Sequence, residues 1–526
     1  MKYIITVIAT ALFILSCKEV SPKQVEKVTT RDTTITTANA FSQLFLDSIN
    51  LEQFLEKEVS GDSITNYIRS FYNSRNYSFA WFDEDGLTVQ AQGFWSAHDI
   101  DLKQASDSSI YDAQLHQIID TLLSDSSFII DKKQLEETEL RFTKHFFNYL
   151  KFAYSGKVDP QRVQWNIPRR KLKPVALLDS FLNNKNGDWK PLNKPYYLLQ
   201  QQLFRYNEIE NSGGWGTITT TTTLKPGSKN NSIIEVKKRL QSTGLYSAVD
   251  TSDFYNNELL YAVKKAEISF GLKDDGVIDK ELLKQLNITV TERIKQMLIN
   301  MERMKWMPEL SSNYLFANIP EYRLHVMENG EEVLAMNIVV GKAANRTVIF
   351  SDQLKYVVFS PYWNIPRSIV RNEIYPAMQR SSSYLRRNNM EVTGYSNGLP
   401  IVRQKPGNSN ALGYVKFIFP NSYNIYFHDT PSRGLFNRQQ RAFSHGCIRL
   451  QQPFDLAVYL LRNQPEWTNE KIKAAMNSSK EKWVTLGKTV PVFITYFTTW
   501  VDEDGLLHFA DDIYGHDKKL AAHLFE

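Results

Sequence analysis

Cysteine is nearly absent from this chain: 526 residues hold two, Cys17 and Cys447. That excludes a disulfide scaffold and any Cys-rich zinc or iron–sulfur module. Long apolar runs are scarce as well. Only one, close to the start, approaches what a bilayer span needs, so a polytopic membrane protein is excluded. Neither sign of charge dominates, since 62 Lys+Arg face 57 Asp+Glu for a net +5. What is abundant is aromatic: 26 Tyr, 30 Phe and 10 Trp in a chain that is 42% hydrophobic and 23% charged. That composition is ordinary for a folded chain, permits large cores and excludes whole-chain disorder. At about 150 residues per domain the length predicts three or four domains.

The modest net charge is unevenly spread. Between Pro361 and Leu450 stand twelve Lys/Arg and three acids, Glu373, Glu391 and Asp429. An arginine excess of this kind suits an anionic partner, because guanidinium forks match carboxylates and phosphates. A solvated basic surface is the plain alternative. No nucleic-acid reader motif accompanies the patch, and no nucleic-acid partner is expected.

Met1-Lys2 precedes an apolar stretch from Ile4 to Leu15, then Ser16-Cys17. About twelve apolar residues at 1.5 Å each fall short of a hydrocarbon core of about 30 Å. A positive start, a short apolar centre and small residues at its end read as a secretory signal. Ile14-Leu15-Ser16-Cys17 resembles the lipobox of bacterial lipoproteins, whose cysteine becomes the acylated first residue. The expectation is residues 1–17 as signal peptide with Cys17 lipidated, and a periplasmic protein lipid-anchored to a bacterial membrane. The polar, Thr-rich stretch 18–40 reads as a flexible tether of roughly 25 Å r.m.s. length.

From 41 to 230 the pattern is mostly helical, a scaffold domain. Leu135, Phe142, His145, Phe146, Tyr149, Leu150 and Ala153 make the stripe of an amphipathic helix, stopped by Gly156 and Asp159-Pro160. His145 on that stripe reads as a core histidine, and His516 and His523 read as surface residues. Residues 231–290 form a compact three-helix unit with a turn at Asp275-Gly276. Val236…Leu240-Gln241, Ala262-Val263-Lys264 and Gly271-Leu272-Lys273-Asp274-Asp275-Gly276 resemble the peptidoglycan-binding domain, with Ala266-Glu267 where that family usually has Phe-Gln. A connecting helix is expected over 291–313. From 314 to 526 the period switches to two: Glu328-Asn329-Gly330 is a hairpin turn between β-prone runs, and strands are expected at 322–326, 333–340, 356–359, 413–419, 423–428 and 490–497. Residues 365–410 interrupt this β-rich domain as a long capping loop or small subdomain, and segments of that length are often functional. The fold class is multidomain α+β, its C-terminal part β-sandwich-like.

The chemistry concentrates in Tyr426-Phe427-His428-Asp429 and Ser444-His445-Gly446-Cys447-Ile448-Arg449. Strand alternation puts Asn424, Tyr426 and His428 on one face, with Ile425 and Phe427 toward the core. A lone cysteine in an exported protein is a redox liability, which points to a use for its thiol. With an ordinary pKa near 8.5 it needs a base or positive surroundings to become a nucleophile. His428 supplies a base and the arginine cluster a positive field. The amides of Gly446 and Cys447 are candidate donors to an oxyanion. An inert structural cysteine is the alternative for Cys447 taken alone. A zinc site from His428, His445 and Cys447 has neither a second Cys nor a His-Glu-x-x-His in support, so no metal is expected.

His428 followed by Ser444-His445-Gly446-Cys447-Ile448-Arg449 resembles the signature of the L,D-transpeptidase catalytic domain. His428-Asp429-Thr430-Pro431-Ser432, Arg441-Ala442-Phe443-Ser444 and Trp500-Val501-Asp502-Glu503-Asp504-Gly505 resemble its large multidomain subfamily. The resemblance implies Cys447 as nucleophile, His428 as base, and the Asp429 carbonyl orienting the imidazole. Ser444 and His445 would shape the turn with Gly446, Arg449 would organise the site or meet a substrate carboxylate, and Tyr426 would line the pocket. It implies thioester-mediated cross-linking of peptidoglycan stem peptides between diaminopimelate residues with loss of D-Ala, acylation of Cys447 by carbapenems, and no cofactor. Hydrolysis of the same thioester, attachment of a protein, or a non-catalytic peptidoglycan-binding scaffold are the alternatives.

Overall fold

In a computed structural model the described residues are 27–59, 61–105, 111–125, 130–184 and 192–525. Cys17 and the signal sequence lie outside them. No helix among the described residues is long and apolar enough to cross a membrane. The chain divides into two compact units, Met1–Leu150 with Lys173–Asp188, and Lys151–Leu172 with Trp189–Glu526.

The first unit is helical. The stripe read from sequence becomes the helix Lys132–Tyr154, which buries Phe142, Phe146, Tyr149 and Leu150. Trp81 stacks on Phe142 with centroids 4.4 Å apart. Glu139 is buried among these rings and accepts from Ala80 N at 2.6 Å, Trp81 N at 3.0 Å and the Tyr72 hydroxyl at 2.9 Å. Burial outweighs those bonds and lifts its carboxyl to about 7. His145 is in the core, as expected, its Nε2 2.8 Å from Nε2 of His98. The tether expectation fails for its second half. Thr29 N donates to Ser70 Oγ, Asp32 N to the Asn73 carbonyl and Asn76 Nδ2 to the Ile35 carbonyl, so the stretch is fastened along the helix Asp62–Ser74. Its threonines are polar but its backbone finds partners, and composition reports only the first.

The scaffold expected over 41–230 is not one body. Residues 151–172 and the helix Lys194–Asn211 belong to the second unit. There Trp165–Asn166 joins the main sheet as a parallel partner of Ile349–Phe350, and Lys194–Asn211 packs along the helix Val290–Trp306. A two-residue strand carries no periodicity to detect. The three-helix unit forms as expected, with Ser232–Ser242, Asn257–Ser269 and Lys280–Leu286 around Val236, Leu240, Leu259, Val263 and Leu282.

The β-rich body is a ten-stranded sheet. Val415–Ile418 pairs with both Ile349–Phe359 and Phe427–His428, so the sheet closes on itself. Closure leaves these strands without free edges and gives the site strands two neighbours each. Residues 363–404 stand apart as a subdomain: Trp363–Asn364, Met390–Ser396 and Leu399–Gln404 form a three-stranded sheet, short helices fill the rest, and Ile365, Ile369, Val370, Ile374 and Val402 give it a core of its own.

Candidate active site

The site is built by register. Phe427–His428 runs parallel to Ile448–Leu450, with Phe427 opposite Ile448 and His428 opposite Arg449. Phe427 and Ile448 are fully buried toward the core. Alternation therefore turns Tyr426, His428, Cys447 and Arg449 to the other face, Cys447 opposite Tyr426 and one diagonal step from His428. On the far side His428 is opposite Lys416, so the base sits in a cross-strand row between two cations. The strand is shorter than read from sequence. Asn424 has φ +55°, outside the strand, and its carbonyl instead accepts from Cys447 Sγ at 3.5 Å.

His428 Nδ1 lies 2.5 Å from the carbonyl oxygen of Asp429. A carbonyl only accepts, so Nδ1 carries the proton and Nε2 the lone pair. The Asp429 carboxylate faces away from the ring, accepting from Tyr414 N at 2.8 Å and Thr430 N at 2.7 Å and pairing with Arg433. Gly413 makes room for it: with φ +60°, a Cβ there would fall 2.3 Å from an Asp429 oxygen.

The turn before the thiol is pinned from inside. The buried Ser444 hydroxyl donates to the Cys447 carbonyl at 2.6 Å and accepts from Gly446 N at 3.1 Å. Gly446 has φ +119°, a conformation L side chains rarely adopt. The Gly446 amide is thus committed within the turn, against the expectation that it faces an oxyanion, and the Cys447 amide is the remaining candidate donor. His445 is exposed, its Nε2 3.5 Å from Glu373 of the 363–404 subdomain.

Electrostatics corrects a second expectation. The Tyr426 backbone N–H and phenol and the Arg449 guanidinium all favour a thiolate, but burial outweighs them and pushes the Cys447 thiol above its ordinary value. Burial, then Arg449 and Lys416, lowers His428 to about 3, against the pull of the Asp429 carbonyl. At neutral pH both groups are uncharged.

Sequence reasoning missed the support behind the turn. The Thr347 hydroxyl donates to the Gly446 carbonyl at 2.8 Å and accepts from Gly341 N at 2.9 Å. The Tyr514 hydroxyl accepts from Thr347 N at 3.3 Å and donates to the Gly341 carbonyl. Nearby His516, read as a surface residue, is buried at 4% exposure against Tyr496 and Tyr514, and burial lowers it to about 4. No local pattern marks Thr347, which acts through a contact 99 residues away.

Two family models match the chain. Residues 312–492 match the L,D-transpeptidase catalytic domain and residues 66–203 a scaffold domain. The match to the L,D-transpeptidase catalytic domain covers most of the β-rich body. The two matches together support a multidomain L,D-transpeptidase. A Haemophilus influenzae protein named as a candidate L,D-transpeptidase is 32% identical over 253 residues, covering 45% of this chain and 50% of that protein. The chain thus spans about half the length of this curated relative. An L,D-transpeptidase structure from Stackebrandtia nassauensis is 14% identical over 53% of this chain and 97% of that one, with TM-score 0.23. Another, solved in complex with imipenem, is 17% identical over 35% of this chain and 59% of that one, with TM-score 0.20. At such TM-scores these superpositions carry no argument. His428 and Cys447 fall within the matched catalytic domain, while Tyr514 lies beyond its matched end.

Proposed function

We propose that the chain cross-links peptidoglycan stem peptides through a thioester on Cys447, releasing D-Ala and joining diaminopimelate residues. The observation that carries this is the shared face of two parallel strands: Cys447 and His428 in diagonal register, with His428 Nδ1 tied to the Asp429 carbonyl so that Nε2 is free to accept a proton.

The steps follow from the neutral pair. Cys447 Sγ attacks the donor carbonyl as His428 Nε2 takes the thiol proton, so charge appears only as the S–C bond forms. The Cys447 amide faces the developing oxyanion, and Tyr426 and Arg449 hold negative charge near sulfur. Collapse expels D-Ala, whose amine takes the proton from His428, and leaves the thioester. The side-chain amine of a second stem peptide then attacks the thioester carbonyl and gives its proton to His428, which returns it to the Cys447 sulfur as the C–S bond breaks. Arg449 beside His428 suits a carboxylate of the stems, whereas Lys416 is buried and paired with Glu481 at 3.4 Å. No cofactor enters.

We place the chain in the periplasm, held to a bacterial membrane by lipid on Cys17. The test is intact-mass analysis with a carbapenem, followed by muropeptide analysis of cells carrying Cys447→Ala. An adduct on the peptide containing Cys447 and loss of diaminopimelate-to-diaminopimelate cross-links support the reading. A folded enzyme without the adduct, or unchanged cross-links, overturns it. Tripeptide product with no cross-link means that water is the acceptor and the enzyme is a carboxypeptidase.

A further inference from the structure

A cavity of about 440 Å³ lies within the unit that carries Cys447, and neither Cys447 nor His428 lines it. The helix Lys194–Asn211, the three-helix unit, the helix Val290–Trp306 and the Thr499–Phe509 hairpin all contribute to its wall.

Arg239 stands in that wall at 5% exposure. Its Nη2 donates to the Gly216 carbonyl at 2.6 Å, and its guanidinium lies over the Trp215 ring, 4.4 Å from the centroid. Nε and Nη1 are buried without an acceptor. A fixed cation with two unanswered N–H groups is costly to bury, and it gains most from a ligand that supplies paired oxygens. Three more cations line the space. Arg205 and Lys265 are exposed, and Arg205 Nη1 reaches only the Thr243 carbonyl at 3.4 Å. Arg293 lies between the rings of Phe270 and Phe509, its bonds taken by Gln285 and Gln296. Two carboxylates share the lining: Asp502, held by His508 Nε2 at 2.7 Å and Leu506 N at 2.8 Å, and Asp504.

The volume is that of a small organic ligand rather than a lone ion. Cations in excess, with carboxylates among them, match a molecule that offers oxygens at one end and N–H groups at another. A peptide does so; inorganic phosphate does not. We propose that this cavity is a second, non-catalytic site for a zwitterionic, carboxylate-bearing peptide, with Arg239 receiving the carboxylate, Asp504 the amine, and Arg205 and Lys265 attracting the anionic end. Identifying that peptide with a cell-wall stem rests on the reading of Cys447 above.

The test uses the full chain with Cys447 blocked by a carbapenem or, if no such adduct forms, by iodoacetamide. Adduct formation reports on the catalytic reading alone, and binding to the blocked protein on this one. A synthetic diaminopimelate tetrapeptide titrated calorimetrically into the blocked protein is expected to bind saturably. The affinity is expected to fall tenfold or more for Arg239→Gln, for the Arg205→Glu/Lys265→Glu double variant and for the fully amidated peptide. If Arg239→Gln lowers the Tm, the double variant at exposed positions decides. No binding to blocked protein, variants within twofold of the parent, or displacement of the peptide by equimolar inorganic phosphate (an adventitious ion only) would each overturn the proposal.

Discussion

The neutral state of the Cys447–His428 pair can be tested by varying pH. Lowering His428 from 6.5 to about 3 corresponds to about 5 kcal/mol against a proton on the buried ring. At pH 5 roughly 1% of the folded molecules would carry that proton, whereas a free imidazole would be almost fully charged. The Cys447 thiol lies above its ordinary value. The alkylation rate of Cys447 by iodoacetamide should therefore rise steadily with pH, show no inflection between pH 5 and 8, and climb further above pH 9. A preformed thiolate–imidazolium pair would instead give a flat rate across pH 5–8, and that plateau would refute the reasoning. Stability carries the same signature. The unfolded chain takes a proton on residue 428 near pH 6.5 and the folded chain only near 3, so the unfolded state binds more protons between these values. The stabilisation is complete above pH 6.5 and is lost as pH falls toward 3. Between pH 7 and pH 4 His428→Asn should remove about 3 kcal/mol of that acid sensitivity, measured by urea denaturation at the two pH values. Equal sensitivity in both proteins would mean that His428 is not held neutral by burial.

Thr347→Val deletes one bond to the Gly446 carbonyl and one from Gly341 N, leaving two buried polar groups at about 1–3 kcal/mol each. If about 1.4 kcal/mol of this reaches the transition state through the displaced thiol, Cys447 acylation slows about tenfold; Thr347→Ser should restore it, and a Val rate within twofold of the parent would count against a positioning role. Gly413→Ala drives a Cβ into the Asp429 carboxylate at a position with φ +60°; both Tm and acylation rate should fall, and a drop in Tm alone would separate Asp429 from the base. Glu139→Ala strands two buried backbone N–H groups in the first unit, those of Ala80 and Trp81, while Tyr72 keeps Thr143, and should cost about 3 kcal/mol by calorimetry, with acylation of Cys447 in the folded protein unchanged. Glu373→Gln weakens an exposed contact to His445 and should leave both acylation and Tm nearly unchanged.

Local periodicity and turn chemistry carried much of this site, and their limits mark what was not legible. The Phe427/Ile448 alternation is visible in sequence because a buried face must be apolar, and it places Tyr426 and His428 on the opposite face by parity alone. Gly446 and Gly413 are visible as glycines, yet only the folded chain shows that one frees the turn before a thiol and the other clears a carboxylate. Charge was misjudged for a definite reason. Counting arginines reports the field in water, whereas the direction in which Cys447 and His428 shift depends on how much water is removed, and burial outweighs Arg449 at the thiol. Thr347 and Tyr514 were invisible because they act through single hydrogen bonds across 99 and 173 residues. It follows that a variant search guided by the motif alone would stop at residue 449, although the Tyr514 hydroxyl bridges Gly341 and Thr347 behind the thiol. Truncation before residue 514 should therefore leave the signature intact and still lower the rate at which Cys447 is acylated; an unchanged rate in a folded truncated protein would show that the turn holds its geometry without that support.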